Sequence, residues 1–327
     1  MISTNSTTSL LLSFGILTSI GLSFASQVTL TPLITKWFVK KRGQALFYLS
    51  TGSMAGIALM NPISNLLILH YNWKVAMLIF AITLVVIVVP VTIFVIKTEV
   101  PKDIVLLDAK TNDGSIQSGP YKPLTIKQSI QSSTFWYLCI GLFACGYSMN
   151  LIGSHGVPML VDHGFSPTVA SNSIGMIGLV AIFGTLIMGS FADKVSKRWL
   201  LALIYYTRAI GIICFVIVVS QYQLYLVALI AGLAWAGNNS LSSAILSNVY
   251  GVKNVGVLYG LTFVSHQLGA TISTFLGGWT YETFGTHLIS FISAGLILFI
   301  AGTFSLKVLD SRSQFEHVQK QFQKTTL

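Results

Sequence analysis

Gly189-Ser190-Phe191-Ala192-Asp193-Lys194-Val195-Ser196-Lys197-Arg198 interrupts an otherwise apolar region. The run Ser173–Met188 precedes it and Trp199–Val219 follows it at once. A break this short leaves no room for anything but a reversal, so the flanking runs read as two antiparallel helices. Its three cations and one acid hold the turn in water. At 1.5 Å per residue Trp199–Val219 is long enough to cross about 30 Å of hydrocarbon, and so is the run before the turn when taken in full from Thr168 to Phe191.

Composition extends that reading to the whole chain. Of 327 residues, 53% are hydrophobic and 9% charged, where a soluble domain carries roughly 25% charged residues. The mean hydropathy is +0.76. The net charge of +10 would suit a nucleic-acid binder, but the cations fall in the breaks between apolar runs and not along one face. A membrane protein without a nucleic-acid partner is the reading that remains. Cys139, Cys145 and Cys214 sit inside apolar runs without metal-ligand spacing. No phosphate-cradling loop, nucleophile constellation or metal cluster is present. An enzyme is therefore not expected, nor is a cofactor.

Nine apolar spans follow along the chain: Ser9–Ile34, Gln44–Leu69, Val75–Ile96, Phe135–Val157, Thr168–Phe191, Trp199–Val219, Leu224–Val249, Gly256–Thr280 and Thr286–Leu306. The expected fold is all-α, a polytopic helical bundle with nine transmembrane helices. The polar stretch from Lys97 to Thr134 has no sustained apolar period and reads as a linker. Pro158–Pro167 reads as a turn. Residues 1–97 thus form a partial first half of three helices, 98–134 a central cytoplasmic linker, 135–306 a second half of six helices, and 307–327 a cytoplasmic tail.

Of the 19 Lys and Arg residues, 17 fall in alternate breaks, leaving Lys74 on the other side and Arg208 inside a span. That asymmetry places the basic side, with the carboxyl terminus, in the cytoplasm of a multi-pass protein of the cell membrane. A shift of 211 positions lays Gly21-Leu22 over Gly232-Leu233, and Tyr48 and Thr51 over Tyr259 and Thr262, with seven identities between Gly21 and Thr51. Parallel repeats of this kind build transporters with the substrate between the halves. The first three spans then correspond to the last three, and three helices would be missing ahead of Met1.

Several motifs in this order resemble the major facilitator superfamily. Gly189-x-x-x-Asp193-Lys194-x-x-x-Arg198 is similar to its signature loop. Trp37-Phe38-(x)3-Arg42-Gly43-x-Ala45, Gly52-x-x-x-Gly56 and Trp73 resemble its monocarboxylate/oxalate–formate members. So do Val157-Pro158-(x)3-Asp162-His163-Gly164-Phe165, Gly256-x-x-x-Gly260 and His266-Gln267-Leu268-Gly269. The resemblance covers nearly all of Leu10–Leu306, apart from the three helices and the first signature loop that the family has at its start.

The resemblance implies a secondary active transporter of a small solute, extending to an organic anion such as a monocarboxylate. It would work by alternating access, coupled to H+ or another solute. The alternative is a truncated, transport-incompetent membrane protein. In the signature loop Gly189, Asp193, Lys194 and Arg198 would form a gate latch. Asp193 would accept from the free N–H groups at the start of the second span, beside Arg42. The family's cavity-lining helices bring Gln27, Tyr147, Asn150, Trp235, Asn238, Asn239, His266 and Gln267 forward as substrate-binding candidates. Two adjacent amides in mid-span, Asn238-Asn239, need partners or water. Arg208 reads either as a partner for a substrate carboxylate or as a structural ion pair or snorkelling side chain. Its place on a helix that resembles a peripheral one favours the structural reading.

Overall fold

The computed structural model describes residues 6–24, 29–31, 34, 37, 42–94, 125–191, 195–235, 237–251, 254–309 and 311. Among these the secondary structure is entirely helical. Three helical segments, Thr7–Leu10, Leu11–Thr18 and Ser19–Phe24, come first. Then follow α1 (Arg42–His70), α2 (Trp73–Thr83), a π-helical turn Leu84–Val88 and α3 (Val89–Phe94). A short α4 (Ile126–Ile130) leads to α5 (Ser133–Asp162), α6 (Pro167–Phe191) and α7 (Lys197–Ile217). The chain continues with α8 (Gln221–Leu233), α9 (Gly237–Tyr250), α10 (Val255–Phe284) and α11 (Leu288–Ser305).

Eight helical spans among the described residues are long and apolar enough to cross a membrane, and a shorter apolar helix, Leu11–Gly21, lies where the first of the nine expected spans falls. This is a multi-pass membrane protein. Helices are the only open structures that satisfy their own backbone in hydrocarbon, so the apolar runs leave the chain no other choice.

Three boundaries differ from expectation. The helix begun at Ser133 runs through Pro158 to Asp162, where a turn was expected from Pro158. Proline removes one backbone bond but does not end a helix whose neighbours hold it. The end comes at Gly164, with φ 89°. There the Phe165 N–H reaches Leu160 O at 3.1 Å and the Gly164 N–H reaches Val161 O at 2.9 Å. These are the paired bonds of a left-handed glycine cap. Secondly, the span expected as one helix over Leu224–Val249 is two, with Ala234 in a turn and Trp235 in a bend between α8 and α9. Thirdly, Thr125 and Gln128 form a capping box that opens the short helix α4 inside the stretch expected as a linker. Residues 98–124 of that stretch lie outside the described residues.

Small residues decide which helices touch. A Cβ on Gly178 would stand 2.4 Å from the Ala58 nitrogen, and one on Gly175 would stand 2.9 Å from Pro62 Cγ, so α6 seats its glycines on α1. Gly52 and Gly56, on α1, meet nothing within 4 Å among the described residues. Close approach of apolar helices needs small residues at the crossing itself, and a Gly-x-x-x-Gly spacing alone does not say which crossing. The tightest crossing joins α5 and α10. A Cβ on Gly146 would lie 1.9 Å from His266 O, and one on Gly269 would lie 2.2 Å from Phe143 O. By contrast, α2 and α3 bury Ala76 alone. Their span has a mean hydropathy of 2.9, suited to contact with lipid on every side.

Candidate functional site

The α5–α10 crossing and the α8–α9 break bring a set of polar side chains to one region of the bundle. Arg208, on α7, is fully buried. Its Nη1 donates to Cys145 Sγ at 3.3 Å. Its guanidinium lies over the Trp235 ring, 4.3 Å from the centroid. The Arg208 Nε and Nη2 have no hydrogen-bond partner among the described residues, and no carboxylate there forms an ion pair with it. The side chain does not snorkel to the surface, and among the described residues it sits in no ion pair.

The surroundings share the deficit. The Trp235 indole N–H, the Tyr205 hydroxyl, both ends of the Asn238 amide, the Ser242 hydroxyl and the His266 Nε2 are buried and make no well-formed hydrogen bond among the described residues, although the Tyr205 hydroxyl faces the Asn238 amide and His266 faces the Cys145 thiol. Eight of the ten such atoms in the described residues fall on these groups and Arg208. Buried polar atoms are satisfied in most packed proteins. Each unmade bond costs about 1–3 kcal/mol, and a buried guanidinium costs several kcal/mol more. One cation–π contact returns about 2 kcal/mol at best. The cluster is chemically poised for an acceptor-rich ligand of negative charge.

Local structure explains the placement. Tyr205 and Arg208 are three residues apart and share a face of α7. Trp235 escapes helical geometry because α8 stops at Leu233, so its ring can turn onto Arg208. Asn238 enters on the first turn of α9. Cys145 sits one residue before the Gly146 crossing, where α10 delivers His266. The Cys145 thiol faces both Arg208 and His266, and its Sγ lies 4.0 Å from Asn239 Oδ1.

The other expected residues divide. Tyr147 is buried and its hydroxyl pairs with Ser293 Oγ at 2.7 Å. Asn150 is exposed on α5 and donates to Ala270 O at 3.1 Å and Thr274 Oγ1 at 2.8 Å. His266 Nδ1 pairs with Gln267 Oε1 at 3.2 Å, and its ring stacks on Phe263 at 4.7 Å. Gln267 is exposed, as are Ser154, Thr271 and Thr274, so α5 and α10 present a polar face outside the core. Such a face inside two membrane spans calls for water or protein against it, because hydrocarbon cannot solvate it. Asn239 lines a residual space of about 10 Å³ with Thr31, Leu46, Leu49, Ser50, Ser240, Ser243 and Tyr259. That is room for no more than a water.

Gln27, Asp193 and Lys194 lie outside the described residues, as does the Arg42 side chain. Gly189 is placed: a Cβ there would lie 3.2 Å from Phe47 Cβ, so the end of α6 meets the first turns of α1. Arg198 is half-buried in the first turn of α7. Tyr205 and Cys145 belong to the cluster without having been expected. The spacing of Tyr205 to Arg208 was a usable signal, but nothing in the chain marks Cys145.

Comparison with known proteins bears on this arrangement. A family model described as Major Facilitator Superfamily matches residues 1–154 and again 137–325. The chain is 27% identical over 304 residues to the uncharacterized MFS-type transporter YcxA of Bacillus subtilis, which covers 88% of this chain and 69% of the relative. It is 22% identical over 312 residues to monocarboxylate transporter 12 of Rattus norvegicus, covering 88% and 64%. It is 24% identical over 294 residues to the MFS transporter asaE of Aspergillus flavus, covering 88% and 63%. The chain thus spans between 63% and 69% of the length of these three relatives.

Proposed function

The chain belongs to the major facilitator superfamily, a family of transporters and not of enzymes, and we propose that it carries a small organic anion across the membrane by alternating access. The observation that carries this reading is the buried Arg208, which among the described residues meets no carboxylate and has two unpartnered guanidinium nitrogens. A carboxylate would supply acceptors to Nε and Nη2 in the bidentate geometry that a guanidinium prefers. The Trp235 and Tyr205 donors and the Asn238 amide stand beside that position. Trp235, Asn238, Asn239 and His266 act as substrate-contacting residues. Asn150 and Gln267 line the route along the polar face, and Tyr147 and Gln27 are the remaining substrate-binding residues of this reading. Similarity to a protein named monocarboxylate transporter 12 supports a monocarboxylate, with H+ or a second solute as the coupled species.

Two halves, residues 1–97 and 135–306, move against each other in this reading, with 98–134 as the cytoplasmic linker and 307–327 as a cytoplasmic tail. The Gly189–Arg198 turn faces the cytoplasm, where Asp193, Lys194 and Arg198 latch it to the start of α1 near Arg42. The contact of Gly189 with Phe47 supports that docking, since it brings the turn to the helix end where free N–H groups favour an anion.

Uptake into proteoliposomes, measured across monocarboxylates, dicarboxylates and neutral analogues of matched size, tests the proposal. We expect saturable uptake of a carboxylate, lost at least tenfold in Arg208→Gln. Asp193→Asn keeps the loop's shape but loses its charge, and is expected to change the uptake rate without changing substrate preference. Uptake of neutral analogues alone, or an Arg208→Gln variant as active as the parent, would refute the anion reading.

A further inference from the structure

At the end of the bundle opposite the Gly189–Arg198 turn, three helices meet around an imidazole. His287 is the residue before α11 and is 5% exposed. Its Nε2 lies 3.5 Å from Asp162 Oδ2 on the last turn of α5. Its ring stacks on Tyr281 of α10 with centroids 4.6 Å apart and planes 12° apart. The His155 ring, about two turns back along α5 from Asp162, approaches it to 5.5 Å. Backbone geometry holds each member in place. Gly285, with φ 67°, closes α10 in a left-handed cap, and its N–H donates to Tyr281 O at 2.8 Å. Only one residue then separates that cap from His287. On the other side, Asp162 is pinned by the glycine cap at Gly164, and the His155 ring seats on Gly277, where a Cβ would stand 2.7 Å from its Nδ1.

This arrangement favours an uncharged His287. A neutral imidazole donates from Nε2 to the Asp162 carboxylate and keeps its ring against Tyr281. Its Nδ1 is buried without a partner among the described residues, so a second proton there would meet no acceptor. The position also adds the partial positive charge of the α11 amino end. Burial pushes the His287 pKa below the ordinary histidine value. The nearby His155 and His163 push the same way, against an opposing pull from Asp162. Glu282, on the adjoining turn of α10, is exposed and makes no ion pair with it. The far end of α7, Ile212–Ile217, carries Cys214 as its one titratable side chain.

The clasp closes on a weak point. Pro158 lies within α5, so the Ser154 carbonyl lacks its usual helical N–H donor and the last turn, Met159–Asp162, is joined to the rest by fewer backbone bonds. We propose that His287, with Asp162, His155 and Tyr281, forms a proton-binding site that releases the Pro158–Gly164 end of α5 from α10 and α11 when it is occupied. The ligand is the proton itself. The sign follows from linkage: the closed form holds fewer protons than the open one. Closure is therefore complete above the ordinary histidine range near 6.5 and weakens as pH falls through it. The clasp stands on its own geometry. Its placement on the outer surface, and hence its role in setting transport by external pH, rests on the orientation proposed above.

Hydrogen–deuterium exchange on the full-length protein in detergent or nanodiscs reads the clasp without any substrate. After correction for intrinsic exchange, the amides of 159–165 are expected to gain exchange between pH 8 and pH 5, about tenfold for each unit by which the His287 pKa is depressed. Peptides from the α5–α10 crossing serve as the unchanged control. His287→Gln, which can still donate to Asp162, should abolish the response. His155→Gln should shrink it by removing a like charge, and Asp162→Asn should enlarge it by removing the opposing pull. A response that is absent in the parent, or that persists in His287→Gln, overturns the proposal. If exchange responds as stated but uptake is absent, the proton site stands and the transport reading fails; the reverse pair of results separates them the other way.

Discussion

The Arg208 guanidinium touches a thiol and an indole face, and no carboxylate pairs with it among the described residues. Inserting a cation into a membrane span costs about 3 kcal/mol or more, and here the cost is not offset by an ion pair. Stability and function therefore pull in opposite directions at this position. Arg208→Met keeps the length of the side chain and removes the charge, and apolar replacements of buried ions commonly stabilise by about 1–4 kcal/mol. We expect Arg208→Met to unfold at a higher temperature than the parent, in detergent and without substrate, while losing uptake. A lowered unfolding temperature would show that Arg208 serves packing. Polarity alone marked Arg208, Asn238 and His266 as residues to place. Their lack of partners was not legible, because the groups that could have satisfied them come from α5 and from the α8–α9 break, far away along the chain.

Helix contacts depend on where the small residues stand. Gly146 and Gly269 bring α5 and α10 within backbone contact, and that crossing delivers His266 toward Cys145 and Arg208. Gly146→Ala would place a methyl group inside the His266 carbonyl, and Gly269→Ala would do the same at Phe143. Overpacking of this kind costs roughly 1–3 kcal/mol. We expect either substitution to lower the unfolding temperature and to weaken substrate binding, read by isothermal titration. Gly52→Ala and Gly56→Ala, with open space around them, should change neither. All four glycines look alike in the sequence, since each lies in an apolar run with the periodicity of a helix. The break at Trp235 was equally hidden, because Leu224–Val249 contains no proline to mark it.

For the molecule as a whole, the distribution of cations sets one direction across the membrane. With Cys214 replaced by serine, a cysteine placed at Val195 should be labelled by an impermeant maleimide only after the cytoplasmic face is opened. One placed at the exposed His163 should be labelled in intact cells. Both positions are ordered and adjoin turns; the reversed pattern would invert every statement here about inner and outer ends. The native Cys139 and Cys145 are buried and provide a low background.

The amino-acid sequence by itself determined that this chain is a helical membrane protein, roughly where each span begins and ends, and which breaks share a side. Hydrocarbon imposes those answers locally: a run of about 20 apolar residues must be helical, and lysines and arginines must stay near water. Only the tertiary structure decided that Arg208 is buried with no countercharge among the described residues, that Trp235 turns onto it, and that His287 meets Asp162 and His155 across three helices. Those facts depend on how each helix is rotated about its own axis. That rotation is set by small-residue crossings between segments distant in the chain, and the apolar pattern of a fully buried or lipid-clad helix, hydrophobic on every side, carries no record of it.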